Sequence, residues 1–153
     1  MIGLAARMDG LVALWFFGQR HAPDASGWLD NSDQPDIRAA IDWLDEYFAG
    51  GNPSYTGRLI LEGTAFRRAV WSRLLRVGHG ETTTYGALRD ELAGVLGRPM
   101  SARAVGGAVG HNPISLIVPC HRVVGAGGAL TGYGGGLDRK RALLRMEGGP
   151  AVR

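Results

Sequence analysis

The chain has 153 residues, enough for one compact domain or for a small domain fused to a compact one, and its 45% hydrophobic residues are ordinary for a globular protein. Its single cysteine excludes an internal disulfide and a zinc site built from several cysteines, so we expect no bound metal and a reducing, cytoplasmic location. No signal peptide is recognisable, and no apolar stretch approaches the roughly 20 residues that cross a bilayer.

Charge is distributed unevenly along the chain, although the net charge is only +3. Residues 1–63 carry 4 arginines against 9 acidic residues, for −5, whereas residues 64–153 carry 13 lysines and arginines against 5 acidic residues, for +8. A basic half is typical of a surface that meets a polyanion such as a nucleic acid. Two ordinary solvated surfaces would give the same division, and charge alone leaves that alternative open.

A β-hairpin is predicted at the start of the chain. Segments 2–8 and 11–17 flank Asp9-Gly10, a dipeptide typical of a tight hairpin turn. The second segment carries aromatic and branched side chains that suit a packed sheet. Residues 18–34 are rich in glycine, proline and short polar side chains and therefore predict a loop.

A helix is predicted to follow, beginning at Pro35 and ending before Gly50-Gly51. Its apolar residues recur at helical spacing: Ile37, Ile41, Leu44 and Phe48. Residues 52–63 predict a connector in which 59–61 can form an edge strand. We therefore predict a structural N-terminal α/β domain over residues 1–62 and a second domain over residues 63–153.

The basic half is predicted to open with a helix capped by Thr64 and running to about Val77. Its apolar stripe is Phe66, Val70, Leu74 and Val77. The arginines on its other faces are Arg67, Arg68, Arg73 and Arg76. At least two of them are expected to meet phosphate if this half binds DNA, and a solvated charged face is the alternative.

Two further helices are predicted close together. The first starts after Thr84 and uses Leu88, Leu92 and Leu96, and the second covers about 101–110. Gly97-Arg98-Pro99 forms the turn between them. Two short helices joined by such a turn in a basic segment predict a helix-turn-helix, although helical hairpins that bind no DNA share the pattern.

The single cysteine follows an apolar run, 114–118, that predicts a buried strand ending in Pro119-Cys120-His121. A thiolate is a strong nucleophile, and a neighbouring imidazole is the usual means of forming one at neutral pH. A lone core cysteine that packs as a small hydrophobe is the alternative. Seven glycines between 125 and 136 predict a loop that can press against a planar ligand, or a flexible tether, and a C-terminal helix is expected to carry Glu147.

Several short motifs accompany this cysteine. They are Asn112-Pro113-Ile114, Pro119-Cys120-His121-Arg122-Val123, Gly132-Tyr133-Gly134-Gly135-Gly136-Leu137, Glu147, Gly63-Thr64-Ala65-Phe66, Val70-Trp71, Thr84-Tyr85-Gly86 and Arg103-Ala104-Val105-Gly106. In these motifs the chain resembles the O6-alkylguanine-DNA alkyltransferase family, densely from about Gly63 to Glu147 and weakly before. The resemblance implies an α+β fold, with a small N-terminal antiparallel sheet under a helix and a mostly helical C-terminal domain that contains a helix-turn-helix.

The resemblance also implies a reaction. Cys120 attacks the alkyl carbon on O6 of guanine or, in a further substrate, the alkyl carbon on O4 of thymine. Because the product is a thioether, each molecule acts once. Glu147 orients His121, which takes the thiol proton through a water, while Asn112 braces the turn. A solvated helix-end carboxylate remains the alternative for Glu147, and a plain turn residue for Asn112. No cofactor is expected.

The partner implied is double-stranded DNA, bound by a monomer mainly through the minor groove, with the damaged base flipped out. Arg103 matches the arginine that fills the vacated stack, and Tyr85 the tyrosine that supports the base at N3. The Val123 carbonyl is expected to accept from the exocyclic amine, with Tyr133 and the Gly134 amide near O6. The other expected DNA contacts are Arg67, Arg68, Gly86, Arg98 and Ala126.

This sequence departs from the family pattern at several positions. Tyr85 and Arg103 are 18 positions apart, about four more than expected, with the extra residues within 91–96. Gly78 stands where a proline is usual and Arg67 where a glutamine is usual. The N-terminus is short, so we expect its first strand to lack a partner. Two other functions stay open: a lesion-binding protein that transfers nothing, which Cys120 argues against, and a thiol hydrolase, for which Arg103 would have no purpose.

Overall fold

The computed structural model describes residues 1–152, and its N-terminal part is an antiparallel hairpin. Strand β1 (Ile2–Arg7) pairs with β2 (Gly10–Phe16), with a register irregularity between Ala5 and Ala6. Gly10 has φ 152°, and a Cβ there would lie 2.7 Å from the Arg58 carbonyl oxygen, so the turn needs glycine. The predicted hairpin is confirmed, and the expectation that the first strand lacks a partner is wrong, because β1 pairs with β2 along its length.

Helix α1 (Pro35–Phe48) packs on the hairpin, and its predicted position is confirmed. The Gln34 side chain caps it by accepting from the Ile37 N–H. The buried residues, however, are Asp36, Ala40, Trp43, Leu44 and Tyr47. The predicted stripe is therefore wrong at Ile41 and Phe48, which are 38% and 46% exposed, because the helix turns its bulkier Trp43 and Tyr47 face to the core.

The connector after α1 forms no strand at 59–61. Leu59 makes one isolated parallel bridge to Leu11, supported by hydrogen bonds from Leu11 N to Arg58 O and from Ile60 N to Leu11 O. The predicted edge strand is therefore wrong, because these two hydrogen bonds join the connector to β2 at a single bridge and do not form a continuous ladder.

Three capped helices follow. They are α2 (Ala65–Leu74), α3 (Tyr85–Leu96) and α4 (Ala102–Gly110), and the side chains of Thr64, Thr84 and Ser101 each accept a hydrogen bond from a backbone N–H in the first turn. Helix α2 ends three residues before Val77. A turn with Gly97 at φ 62° joins α3 to α4. The small residues of α4 let α2 approach closely, so that Trp71 Nε1 donates to the Ala108 carbonyl at 2.9 Å.

The segment before Cys120 differs from the predicted strand. Residues 114–118 are buried as expected, but they form one bridge, Leu14 to Ile114, and then a chain of turns in which Leu116 has φ 70°. The predicted strand is wrong because the side-chain amide of Asn112 binds the Ile114 and Val118 carbonyls, which folds the segment back on itself.

The rest of the chain closes the site. A one-turn 3-10 helix spans Cys120–Arg122 and leads into β4 (Val123–Val124), which pairs in parallel with β3 (Thr83–Thr84). Helix α5 spans Leu137–Met146, and Glu147 follows it as the C-cap, so Glu147 lies at the end of the predicted C-terminal helix and not inside it. One hydrophobic cluster runs from the hairpin through α1 to α4 and reaches Cys120. None of the described helices combines the length and apolarity that crossing a membrane requires.

Candidate active site around Cys120

The thiol of Cys120 lies at the start of the 3-10 helix and is only 6% exposed. The Asn112 Nδ2 atom donates to Cys120 Sγ at 3.1 Å and to the Val118 carbonyl at 2.7 Å. The Oδ1 atom of Asn112 in turn accepts from the Ile114 N–H at 3.1 Å. One buried amide therefore holds both the turn and the sulfur, as expected for a bracing residue.

The Glu147 carboxylate is buried and receives five hydrogen bonds. Its Oε1 atom lies 2.7 Å from His121 Nε2, 2.6 Å from the Tyr47 hydroxyl and 3.0 Å from Arg122 Nη2. Its Oε2 atom accepts from Arg122 Nε at 2.9 Å and from the Gly80 N–H at 3.4 Å. The expected hydrogen bond to His121 is present, and the alternative of a solvated carboxylate does not hold.

The tautomer of His121 follows from this contact. An ionised carboxylate only accepts, so Nε2 carries the ring proton and the neutral ring has its lone pair on Nδ1. Among the described residues no group hydrogen-bonds to that Nδ1 atom, although it is buried. His121 therefore presents a free proton acceptor next to the cysteine in sequence.

Burial acts on the three ionisable groups in different ways. It raises the pKa of Glu147, but hydrogen bonds from His121 and Arg122 outweigh it and hold that pKa far below the ordinary value. Burial lowers the pKa of His121 despite the hydrogen bond to Glu147, and it raises the pKa of the Cys120 thiol despite the Asn112 contact. The resting site thus holds a carboxylate, a neutral imidazole and a neutral thiol.

A cavity opens beside the thiol. Its lining residues are Gln19, Val109, Gly110, Asn112, Ser115, Cys120 and 132–135. Tyr133, whose hydroxyl is buried without a partner in the described part of the chain, and Gly134 thus line the same cavity as the thiol. Gln19 comes from the N-terminal loop and was missed, because nothing in its sequence neighbourhood marks it.

Tyr85 lies at the N-terminal end of α3, close to the same loop. Its hydroxyl donates to the Gly132 carbonyl at 2.9 Å, and its ring packs near Gly106 of α4. Burial and the nearby Cys120 raise the pKa of Tyr85 to about 12, so the hydroxyl stays protonated and can donate. Tyr85 is thus a neutral hydrogen-bond donor at the site.

Lys140 is a further buried residue that the sequence analysis missed. Its Nζ atom donates to the Val123 carbonyl at 2.5 Å and to the Thr131 carbonyl at 2.7 Å. The Val123 carbonyl, expected to accept from a guanine amine, therefore already has one donor and keeps its second lone pair. The signal available was position: Lys140 falls on the buried face of α5 with Leu143 and Leu144.

We expect Lys140→Met to lower the free energy of unfolding by about 2 kcal/mol, because two carbonyls lose their donor. Burial lowers the pKa of Lys140 from 10.5 to about 8. The folded protein therefore binds fewer protons than the unfolded chain between these values, and wild-type stability should rise with pH across that window, a rise that the variant lacks. Urea unfolding measures both effects. Arg141→Met is the control, and an equal loss there would refute the role of the Lys140 contacts.

The arginines expected to contact DNA differ in their surroundings. Arg103 is exposed on the first turn of α4, and Arg98 is exposed in the turn before it. Arg68 is exposed and donates to the Gly63 carbonyl, whereas Arg67 is half-buried. Arg73 forms an ion pair with Glu91 at 2.6 Å and is thereby engaged within the protein. Gly86 is half-buried near the start of α3, and Ala126 is exposed in the loop after β4.

Comparison with known proteins agrees with this geometry. Residues 65–149 match the family model described as the DNA binding domain of 6-O-methylguanine DNA methyltransferase. The chain is 46% identical over 144 residues to a methylated-DNA--protein-cysteine methyltransferase of Mycobacterium tuberculosis, covering 94% of this chain and 84% of the relative. Its identity to a protein of the same name from Methanosarcina acetivorans is 44% over 146 residues, covering 95% and 90%.

Solved structures give the same result. Mycobacterium tuberculosis OGT in complex with DNA has a TM-score of 0.82 and 46% identity, over 94% of this chain and 84% of that one. An O6-methylguanine DNA methyltransferase from Methanococcus jannaschii has a TM-score of 0.69 and 30% identity, over 99% and 90%. The α+β fold and the family resemblance are thus confirmed. The chain belongs to the 6-O-methylguanine DNA methyltransferase family.

Proposed function

We propose that this protein repairs DNA by moving the alkyl group of O6-alkylguanine onto Cys120 in a single irreversible turnover. The observation that carries the proposal is the buried thiol, which is held by Asn112 beside a His121–Glu147 pair and opens into a cavity. Family membership supports the same reaction, since the relatives are named methylated-DNA--protein-cysteine methyltransferases.

The chemical step is an in-line displacement. A bond forms between Cys120 Sγ and the alkyl carbon, the bond from that carbon to guanine O6 breaks, and its electron pair stays on the base. His121 Nδ1 takes the thiol proton through a water, and Glu147 stabilises the imidazolium that results. The Tyr85 hydroxyl exchanges its Gly132 contact for guanine N3, which makes guanine a better leaving group.

DNA binding is assigned to α3, the turn after it and α4, acting as a helix-turn-helix. The exposed residues of α4 are Arg103, Ala104, Gly107 and Gly110, so one arginine leads a face of small residues that fits a narrow minor groove. We assign Arg103 to the stack that the flipped base leaves, and Arg67, Arg68, Arg98, Gly86 and Ala126 to backbone contacts. Binding should then be salt-sensitive and largely independent of sequence.

The remaining assignments follow from this function. Residues 1–62 act as a structural domain that supports the site, and residues 63–153 bind DNA and accept the alkyl group. We place the protein in the cytoplasm as a monomer without a metal or cofactor.

Mass spectrometry after mixing with an O6-methylguanine duplex tests the proposal. We expect a permanent gain of one methyl group on the peptide that contains Cys120, with one transfer per protein molecule. Tight binding without a mass gain would instead identify a lesion-binding protein, and repeated turnover with unmodified Cys120 would identify a thiol hydrolase.

We expect Glu147→Gln to slow transfer by about 100-fold without abolishing it, because the imidazolium loses its charged partner while Cys120 and His121 remain. Because burial lowers the pKa of His121, the wild-type rate should hold through neutral pH and fall only at a pH below the ordinary histidine pKa of about 6.5, where a protonated His121 accepts no proton. Single-turnover assays, quenched at set times over neutral and mildly acidic pH, measure the transfer rates of the wild type and the variant. Glu62→Gln, an exposed carboxylate outside the site, is the control. An unchanged rate in Glu147→Gln would contradict the relay.

A further inference from the structure

Two histidine rings stack at a place that the proposed mechanism does not use. His21 lies in the loop 18–34 and His111 follows the last residue of α4, and their ring centroids are 4.0 Å apart with an interplanar angle of 21°. His21 adopts φ 62°, an uncommon backbone conformation for a residue with a side chain, so the loop is held in a specific shape here.

The pair lies beside the Cys120 cavity, on backbone segments that line it. His111 is preceded and followed by residues that line this cavity, and the residue two positions before His21 lines it as well. The Arg20 N–H donates to the Gly134 carbonyl at 2.8 Å, which ties the loop to the opposite wall. We call the edge of the cavity that carries Arg20, His21 and His111 the rim, and a nucleotide whose base occupies the cavity can place its sugar and phosphate along it.

The rim carries positive charge and at least one imidazole of known tautomer. His111 Nδ1 lies 2.7 Å from the Gly107 carbonyl, which only accepts, so Nδ1 carries the proton, and within residues 1–152 no hydrogen bond involves Nε2. Arg20 and Arg67 stand near His21, and neither takes part in an ion pair within residues 1–152. A half-buried guanidinium and two imidazoles thus lie close together, and in the described part of the chain no carboxylate pairs with Arg20 or Arg67.

We propose that His21 and His111, together with Arg20 and Arg67, bind a DNA phosphodiester next to the flipped nucleotide. This inference rests on the proposed function, because it requires a base in the Cys120 cavity. A phosphodiester supplies one negative charge and several acceptor oxygens, and imidazolium N–H and guanidinium groups are suitable donors for it.

Proton uptake accompanies this binding. Partial loss of solvent contact lowers the pKa of His21, and the charges of His111, Arg20 and Arg67 lower it further, so the free protein holds His21 largely neutral at neutral pH. A bound phosphate offsets that repulsion and raises the pKa of His21. The complex therefore holds more protons than the free protein, and affinity for DNA increases as the pH falls.

The experiment measures duplex DNA affinity by fluorescence anisotropy between about pH 8 and about pH 6, with Cys120→Ser to prevent transfer. We expect roughly tenfold tighter binding at the lower pH for one proton taken up, and loss of this dependence in His21→Asn and His111→Asn. Asparagine tolerates the left-handed backbone at residue 21 and can keep a donor for the Gly107 carbonyl. His79→Asn, away from the rim, should retain the dependence.

Two further measurements decide the outcome. Arg67→Gln should reduce the slope of log affinity against log salt by about 1, the effect of one phosphate contact. An equal pH dependence in all the histidine variants, or none in the parent, would overturn the rim site. Transfer from a free base such as O6-benzylguanine, with Cys120 intact, should be unchanged in His21→Asn and His111→Asn. Failure of the wild type to accept a methyl group from the O6-methylguanine duplex would refute the proposed function instead.

Discussion

Cys120→Ser is expected to leave no measurable alkyl transfer, while affinity for duplex DNA stays within about twofold of the wild type. The hydroxyl of serine is far less acidic than a thiol, and a neutral imidazole such as His121 cannot generate enough alkoxide for an in-line displacement without further activation. The substitution is nearly isosteric, so the Asn112 amide still has an acceptor and the turn keeps its shape.

Mass spectrometry of the product and anisotropy with an O6-methylguanine duplex measure these two effects. The thermal unfolding midpoint should match that of the wild type and show that the fold is intact. Transfer by Cys120→Ser at a rate comparable to the wild type would contradict the assignment of Cys120 as the acceptor.

Arg103→Ala is expected to slow transfer from duplex O6-methylguanine by roughly 100-fold and to change the reaction with free O6-benzylguanine by less than about threefold. In the proposed role, the guanidinium on the first turn of α4 stabilises the gap left by a flipped base, and flipping costs a few kcal/mol that a free base does not incur. Each 1.4 kcal/mol of lost stabilisation is a factor of about ten in rate.

Single-turnover kinetics on the two substrates separate base flipping from catalysis. Arg38→Ala on α1 is the control, since it removes the same charge from the N-terminal part. Equal losses on both substrates would mean that Arg103 supports the cavity itself. A loss of affinity with a shallower salt slope and an unchanged maximal rate would mean that Arg103 contacts phosphate.

Most of the helices could be predicted because their signals are local. Thr64, Thr84 and Ser101 each mark a helix start through a side-chain oxygen, and such caps act within three residues. The segment 114–118 could not be predicted correctly, because an apolar run fits a strand and a buried turn equally well. The amide of Asn112 decides between them, and its contacts reach up to eight positions along the chain.

The candidate site could be predicted as far as its residues cluster in sequence. Cys120, His121 and Asn112 lie within nine positions of one another, and the resemblance to a family supplied Glu147. Tyr47 hydrogen-bonds Glu147 across 100 positions, and no periodicity or motif links the two. Contacts of this kind come from the packing of α1 against the rest of the core, which a single sequence does not encode in local form.

The position of Tyr47 makes the nucleophile dependent on the cooperativity of the whole fold. The Tyr47 hydroxyl donates to the same Glu147 oxygen that orients His121. Tyr47 belongs to α1, which lies far along the chain from the 3-10 helix of Cys120. Partial opening of α1 would remove one of the five hydrogen bonds that hold the buried carboxylate against His121, and so weaken the positioning of the imidazole. An intermediate with an unfolded N-terminal part and a competent thiol should therefore not accumulate. Reactivity of Cys120 toward O6-benzylguanine in urea is expected to fall together with global unfolding, in a single transition.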